Sequence, residues 1–301
     1  AFVGGINVND DWYCDYDPDT RLPAPRWDFA AQVRGPLVAA IHFEMQVQWA
    51  RVGHLGLIRR IGLFREMRKE LPMDGDKPML AAFVVRDNLR NRHTIQRAYL
   101  QAIGRAKKSI LLANPYFAPG HKFRQALAMA AQRGVEVKLL IGVGEIWLQD
   151  MVARSFYPKL LESGVQVIEY RKTQLHAKVA VIDDDWSTVG SSNCDGLSLF
   201  LNQEANIVVR DAQFAESVRA HIERVRQFLG ALVERAGEFL AALVELQGKL
   251  AGVLVERRLD DLVAAGERAV EFLRAAREHL VELRGAVRQA LFELVGADRK
   301  V

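Results

Sequence analysis

Between Leu80 and Arg210 the chain alternates β-type runs with helix-length segments, and this constrains the fold more than any other feature. The runs are LAAFVV (80–85), SILLAN (109–114), VEVKLLIG (135–142), VQVIEY (165–170), HAKVAVID (176–183), WSTVGS (186–191) and EANIVVR (204–210). Helical patterns occupy 92–107, 121–133 and 148–162, and glycines at 134 and 164 close the last two. Strands separated by helices of this length fold as an α/β sheet with helices on its faces. Before Leu80, AFVGGIN and DFAAQV (28–33) read as strands and 36–50 as a helix.

A compositional break falls near Asp211. All five Trp, six Tyr, nine Pro and two Cys precede it. Beyond it, Val218, Ile222, Val225, Leu229 and Leu232 begin a series spaced alternately four and three apart, and a second series starts at Leu262. That spacing is a heptad seam and predicts a helical hairpin or coiled coil over 212–301. Acidic and basic residues balance in this tail, so the net charge of +4 belongs to residues 1–211. The excess suits an anionic partner without choosing one. GHLGLIRRIGLFREMRKE (53–70) is basic and amphipathic, as a segment lying on an anionic membrane would be. Two cysteines without metal spacing fit a reducing compartment, and no metal site or cofactor is expected. No apolar run is long enough to span a bilayer.

The run LHAKVAVIDDDWSTVGSSNCD (175–195) concentrates the chemistry. Alternate residues of a strand share a face, so His176 and Lys178 are neighbours. An imidazole can act as nucleophile or acid/base near neutral pH, and an ammonium two residues on attracts an anion. Gly190, Ser191 and Asn193 add hydroxyl and amide donors at a turn where backbone can approach closely. Together they describe a phosphate pocket with a histidine able to attack or to move a proton.

His176, Lys178, Asp183, Gly190, Ser191 and Asn193 match H-x-K-x4-D-x6-G-S-x-N at every position. The run resembles the signature of the phospholipase D superfamily. ANPYFAPG (113–120), YPKLLESGVQVIEY (157–170) and LSLFLNQEANIVV (197–209) extend the likeness to bacterial cardiolipin synthases, the B type above all, from Ala1 to about Phe228. The resemblance implies a phospholipase D-like mixed sheet flanked by helices. It implies two such motifs at one site, one histidine forming a phosphohistidine and the other serving as acid and base. His176 is expected to be the acid/base, Lys178, Ser191 and Asn193 to hold phosphoryl oxygens, and Glu204 to orient His176. Asp183 is part of the motif, with a role that looks more structural than catalytic. Gly4, Gly5 and Asn7 occupy the G-G-x-N places of a first motif, which makes Asn7 a further phosphate ligand. Asp28 fits the residue that would orient the first histidine. The expected division is a first-half remnant over 1–79, the second half over 80–211, and the helical tail over 212–301. As it stands the chain reads as an incomplete fragment, inactive by itself.

Such enzymes transfer a phosphatidyl group from one phosphatidylglycerol to another. The implied setting is peripheral, on the cytoplasmic side of a bacterial membrane, with no nucleic acid partner. Two alternatives stand beside it. One is a single-motif phosphodiesterase or nuclease that pairs two copies of His176 in a homodimer through the tail. The other is a non-catalytic scaffold that binds partners through its helices.

Overall fold

The computed structural model describes residues 1–15, 17, 19–52, 79–224 and 274. The basic segment 53–70 and the tail beyond Arg224 lie outside the described residues. Among these, the first elements are β1 (Phe2–Gly4), β2 (Ala30–Gln32) and helix α1 (Leu37–Val52). There follow β3 (Leu80–Arg86), α2 (Thr94–Arg105), β4 (Ser109–Asn114), β5 (Phe117–Ala118), α3 (His121–Gln132) and β6 (Glu136–Gly142). Then come α4 (Trp147–Ser155), α5 (Tyr157–Glu162), β7 (Gln166–Tyr170), β8 (Val179–Ile182) and β9 (Trp186–Gly190). The last are β10 (Cys194–Asp195), α6 (Gly196–Phe200) and β11 (Glu204–Arg210).

Seven strands make one sheet in the order β3-β11-β9-β8-β4-β6-β7. β4, β6 and β7 are parallel, with helices in the connections, while β8, β9, β11 and β3 pair antiparallel. The α/β sheet expected from the alternation, with the mixed character that the resemblance implies, is therefore present. Every residue of β8 is buried, as its unbroken VAVI requires of a central strand. Ile95, Tyr99 and Ile103 of α2, with Phe123 and Leu127 of α3, pack with Leu112, Leu139 and Ile141 of the sheet into one apolar core.

Three local expectations are adjusted. The helix expected over 148–162 is two helices meeting at Phe156, because Pro158 stands in the first turn of the second. Proline has no N–H for the preceding turn and starts helices more readily than it continues them. The strand expected from His176 begins only at Val179. Residues 212–224 are helical, and Ala215, Val218 and Ile222 are buried. Arg219 donates to the carbonyl of Asp183 at 2.6 Å, so these first turns of the heptad series pack on the α/β unit.

The strand directions bring one set of ends together. β3, β4, β6, β7 and β9 all finish at the edge of the sheet where β8 and β11 begin. Residues 86–91, 114–120, 142–150, 170–178 and 190–204 therefore crowd one edge. The opposite edge carries the β8–β9 turn.

Candidate active site

His176 is held by backbone from the far end of the sequence. Its N–H and that of Ala177 both donate to the carbonyl of Trp27, at 2.9 and 3.1 Å, and Trp27 N–H donates to Gln174 at 2.9 Å. Trp27 packs edge-on against Phe29 at 5.1 Å and lies 5.9 Å from the Tyr170 ring. This clamp takes the place of a strand ladder at 176–177. It also carries the next residue, Asp28, to the imidazole: Asp28 Oδ2 lies 2.7 Å from His176 Nδ1. Their side chains are 7% and 12% exposed. A carboxylate at Nδ1 holds the proton there and leaves Nε2 as the nitrogen that can give or take one.

Lys178 lies almost fully buried, with its ammonium donating to the carbonyl of His176. Burial lowers its pKa to about 8, against the opposing charges of Asp28, Glu204, Asp15 and Glu145. The ammonium is thus ringed by carboxylates yet still poorly solvated. Its stem runs against Gly5: a Cβ there would sit 2.7 Å from Lys178 Cδ. The GGIN segment and the HAKV segment meet at this point.

Glu204 accepts from the Ser191 hydroxyl, whose oxygen in turn accepts from Ala205 N–H at 3.1 Å. Burial raises the Glu204 pKa, opposed by that hydroxyl. The Oδ1 of Asn193 is buried without a hydrogen-bond partner among the described residues.

The structure places Asp28, Glu204 and Asn7 differently from the expectation, and it places Asp183 away from the pocket. His176 is oriented by Asp28 and not by Glu204, because the Trp27 clamp delivers Asp28 while Glu204 is engaged by Ser191. Correspondingly, Asp28 serves His176 and not a first-motif histidine. Asp183 lies outside the pocket, at the far end of β8. Its φ is 50°, and its carboxylate accepts from the N–H groups of Lys107, Lys108 and Ser109 at 2.8–3.1 Å. Burial works against that charge, and these N–H groups hold its pKa below the usual range. Asp183 closes the β8–β9 turn onto β4. Asn7, expected to bind phosphate, is exposed and donates to Asp15 at 3.4 Å.

A second polar cluster adjoins Lys178 and has little trace in the sequence. Glu145, just after β6, accepts from Gln174 at 3.0 Å and from the Tyr116 hydroxyl at 3.2 Å. Gln174 also donates to Asp15 at 3.3 Å, and Asp15 pairs with the buried Arg26 at 2.9 Å. Burial raises the Glu145 pKa to about 7, with those two hydrogen bonds opposing and the Asp15 charge adding. The one available signal was position: Arg26 precedes Trp-Asp28, and Gln174 precedes Leu-His176.

The two glycine motifs have the same construction. In β1–β2, Gly4 pairs with Ala30, and Asp28 stands two residues before that partner. In β9–β11, Gly190 pairs with Asn206, and Glu204 stands two residues before it. A Cβ on Gly4 would lie 2.7 Å from Ala30 Cα, and one on Gly190 would lie 2.6 Å from the Ala205 carbonyl, so each strand pair demands glycine at the contact. Each unit carries one acid at an equivalent place, and the acid of the first unit serves the histidine of the second.

Residues 99–226 match the family described as cardiolipin synthase, PLD-like domain. Cardiolipin synthase B of Salmonella typhi is 39% identical over 226 residues, covering 75% of this chain and 52% of that protein. A probable cardiolipin synthase of Bacillus subtilis is 32% identical over 229 residues, covering 75% of this chain and 43% of that one. The chain thus spans about half the length of the curated relatives it matches. A phospholipase D family member from Salmonella typhimurium, solved as a crystal structure, is 23% identical, with a TM-score of 0.42 over 48% of this chain and 93% of that one.

Proposed function

We propose, for a chain whose residues 99–226 belong to the phospholipase D-like domains of the cardiolipin synthase family, that His176 is the acid/base of a phosphatidyl transfer from one phosphatidylglycerol to another. The observation that carries this reading is the Asp28–His176 pair, at 2.7 Å, with the buried Lys178 ammonium on the His176 carbonyl.

In the first step a second imidazole attacks phosphorus, and the bond to the departing glycerol oxygen breaks. His176 Nε2–H gives that oxygen its proton, so glycerol leaves neutral and a phosphohistidine remains. In the second step His176, now a base, takes the proton from a hydroxyl of another phosphatidylglycerol. That oxygen attacks phosphorus and frees the nucleophilic histidine. Lys178 and Asn193 hold the non-bridging oxygens throughout, where negative charge grows in the transition state. Asp28 keeps the Nδ1 proton in place and stabilises the imidazolium.

The repeat suggests where the nucleophile stands. If the acid of the first unit serves the histidine of the second, Glu204 of the second unit serves the histidine of the first. Its position beside Ser191, near the charge of Lys178, supports this. The arrangement also speaks against two copies of His176 meeting in a dimer, since Asp28 and the Gly4–Gly5 turn come from this same chain. The membrane surface is the partner that supplies the lipid. The test is this chain joined to a segment carrying the first-motif histidine, assayed with phosphatidylglycerol vesicles, with cardiolipin and glycerol formed one for one. Hydrolysis to phosphatidic acid with no cardiolipin would assign a different acceptor. Loss of neither product in His176→Ala would remove the proposed role.

A further inference from the structure

Large apolar side chains are left in solvent at the same edge of the sheet as His176. Trp147, Leu148 and Met151 project from α4, Leu197 and Leu201 lie on and just after α6, and Leu89 sits in the turn after β3. These six are from 55% to 70% exposed. A lone exposed leucine is ordinary, whereas a set gathered on one edge marks a contact surface.

The set is continuous. α4 lies against β5, β5 pairs with β10, and β10 runs directly into α6. Phe200 of α6 covers Gly120, with 3.5 Å from its ring to the place of a Cβ, and packs edge-on to His93 at 6.0 Å. The Arg86 guanidinium binds the carbonyls of Phe200 and Asn202, which fastens the turn bearing Leu89 to the end of α6. This belt runs from one side of the pocket to the other, because Asn193 immediately precedes β10 and Glu204 follows α6.

Charge selects the occupant. In the segments 86–92, 114–124, 142–152, 170–178 and 190–204, which make up this edge, the exposed Lys, Arg, Asp and Glu residues are Arg90, Arg92, Lys122 and Arg171, all basic. The exposed acidic residues Asp10, Asp11, Asp17 and Asp19 lie in the loop after β1, which meets the pocket on the Gln174 side through Asp15 and Arg26 and contributes none of the six apolar side chains. Aromatic and aliphatic side chains beside exposed cations suit the boundary between headgroups and acyl chains of an anionic bilayer. Among the described residues no helix is long and apolar enough to cross a membrane.

We propose that Trp147, Leu148, Met151, Leu197, Leu201 and Leu89 form a rim that dips into an anionic bilayer around the mouth of the site, so that a phosphodiester reaches His176 while its acyl chains stay in the membrane. This rests on the lipid-transfer reading, and it adds the surface and the orientation in which the enzyme works. The shallow insertion of a rim needs no spanning segment and is reversible.

The test uses this chain joined to a segment carrying the first-motif histidine, with Trp147, Leu148 and Met151 replaced together by serine. The control is Leu80→Ser, at the opposite edge, where Leu80 is 70% exposed. Three quantities are measured: co-sedimentation with vesicles of phosphatidylglycerol and phosphatidylcholine, transfer on short-chain phosphatidylglycerol kept below its micelle concentration, and mass in solution. The expected result is at least a tenfold fall in vesicle binding, with the short-chain rate within twofold and the mass unchanged, and no change for Leu80→Ser. Unaltered vesicle binding overturns the rim. An equal loss on the short-chain substrate also overturns it, by making these residues part of the pocket or of an internal contact. A change in mass would assign the face to a second copy. If the parent chain turns over neither substrate, the transfer reading fails, and vesicle binding alone still decides the rim.

Discussion

Asp28 and His176 meet at 2.7 Å although 148 residues separate them in the chain. The contact joins the glycine turn at 4–5 to the strand that carries Lys178 and makes the two segments one site. It fixes the tautomer of His176, and so the nitrogen that moves protons. Asp28→Asn is expected to lower transfer about a hundredfold or more, since an amide cannot stabilise the imidazolium. Vesicle affinity should be unchanged. Paired rate and binding measurements check this, and a parallel fall in both would make Asp28 a folding residue only.

Lys178 gives the site a pH limit. With its pKa near 8 in the empty pocket, it is charged below that pH and loses its proton as the pH rises through it. Affinity for inorganic phosphate should therefore fall between about pH 7 and 9, by more than the change in phosphate ionisation explains. Lys178→Met should bind phosphate weakly and show no such step. Calorimetric titrations across that range measure it.

Gly5 and Gly190 separate function from folding. A Cβ at Gly5 presses on the flexible stem of Lys178, which can move aside. Gly5→Ala should thus leave thermal stability nearly intact and reduce phosphate affinity and transfer at least tenfold. A Cβ at Gly190 presses on the Ala205 carbonyl and on Asn206 inside the sheet. Gly190→Ala should cost about 1–3 kcal/mol of stability, the range for overpacking a rigid core. Denaturant unfolding of the two variants, side by side, shows whether the costs divide this way.

Glu145 should leave a signature in stability against pH. Its folded pKa, about 7, stands above the ordinary 4.5. Between those values the folded state keeps a proton that the unfolded chain has released. Stability is therefore lost as the pH rises from about 4.5 to 7. Glu145→Gln removes the titration while keeping an acceptor for Gln174 and Tyr116. Its Tm should vary less between pH 5 and 8 than that of the parent, as read by thermal denaturation.

Much of this was legible in the sequence, for a physical reason. His176, Lys178 and Asn193 lie within eighteen residues, so the motif that joins them is visible as one run, although His176 and Lys178 precede the strand and are held by the Trp27 clamp. The sheet was equally readable from its apolar runs. Glu204 fits the family's place for an acid downstream of His176, whereas the structure puts Asp28 at that imidazole and Ser191 on Glu204. That contact depends on the register of β1 with β2 and on the Trp27 clamp, which no local run of sequence shows. Glu145, Asp15 and Arg26 escaped notice because nothing local distinguishes a buried carboxylate in a loop from a solvated one. Pro158 was visible, but the surrounding apolar pattern continued through it, and the helix boundary at Phe156 was lost.

The central claim is that His176 moves protons and does not itself carry the phosphatidyl group. A phosphatidyl ester of p-nitrophenol tests it, because that leaving group departs without an acid. With His176→Ala in the protein that joins this chain to a first-motif histidine, the expected result is a burst of p-nitrophenol stoichiometric with enzyme, and cardiolipin formation from phosphatidylglycerol at least a thousandfold below the parent. The loss of the burst together with a phosphate trapped on His176 in the parent enzyme would contradict it, as would cardiolipin formation within tenfold of the parent.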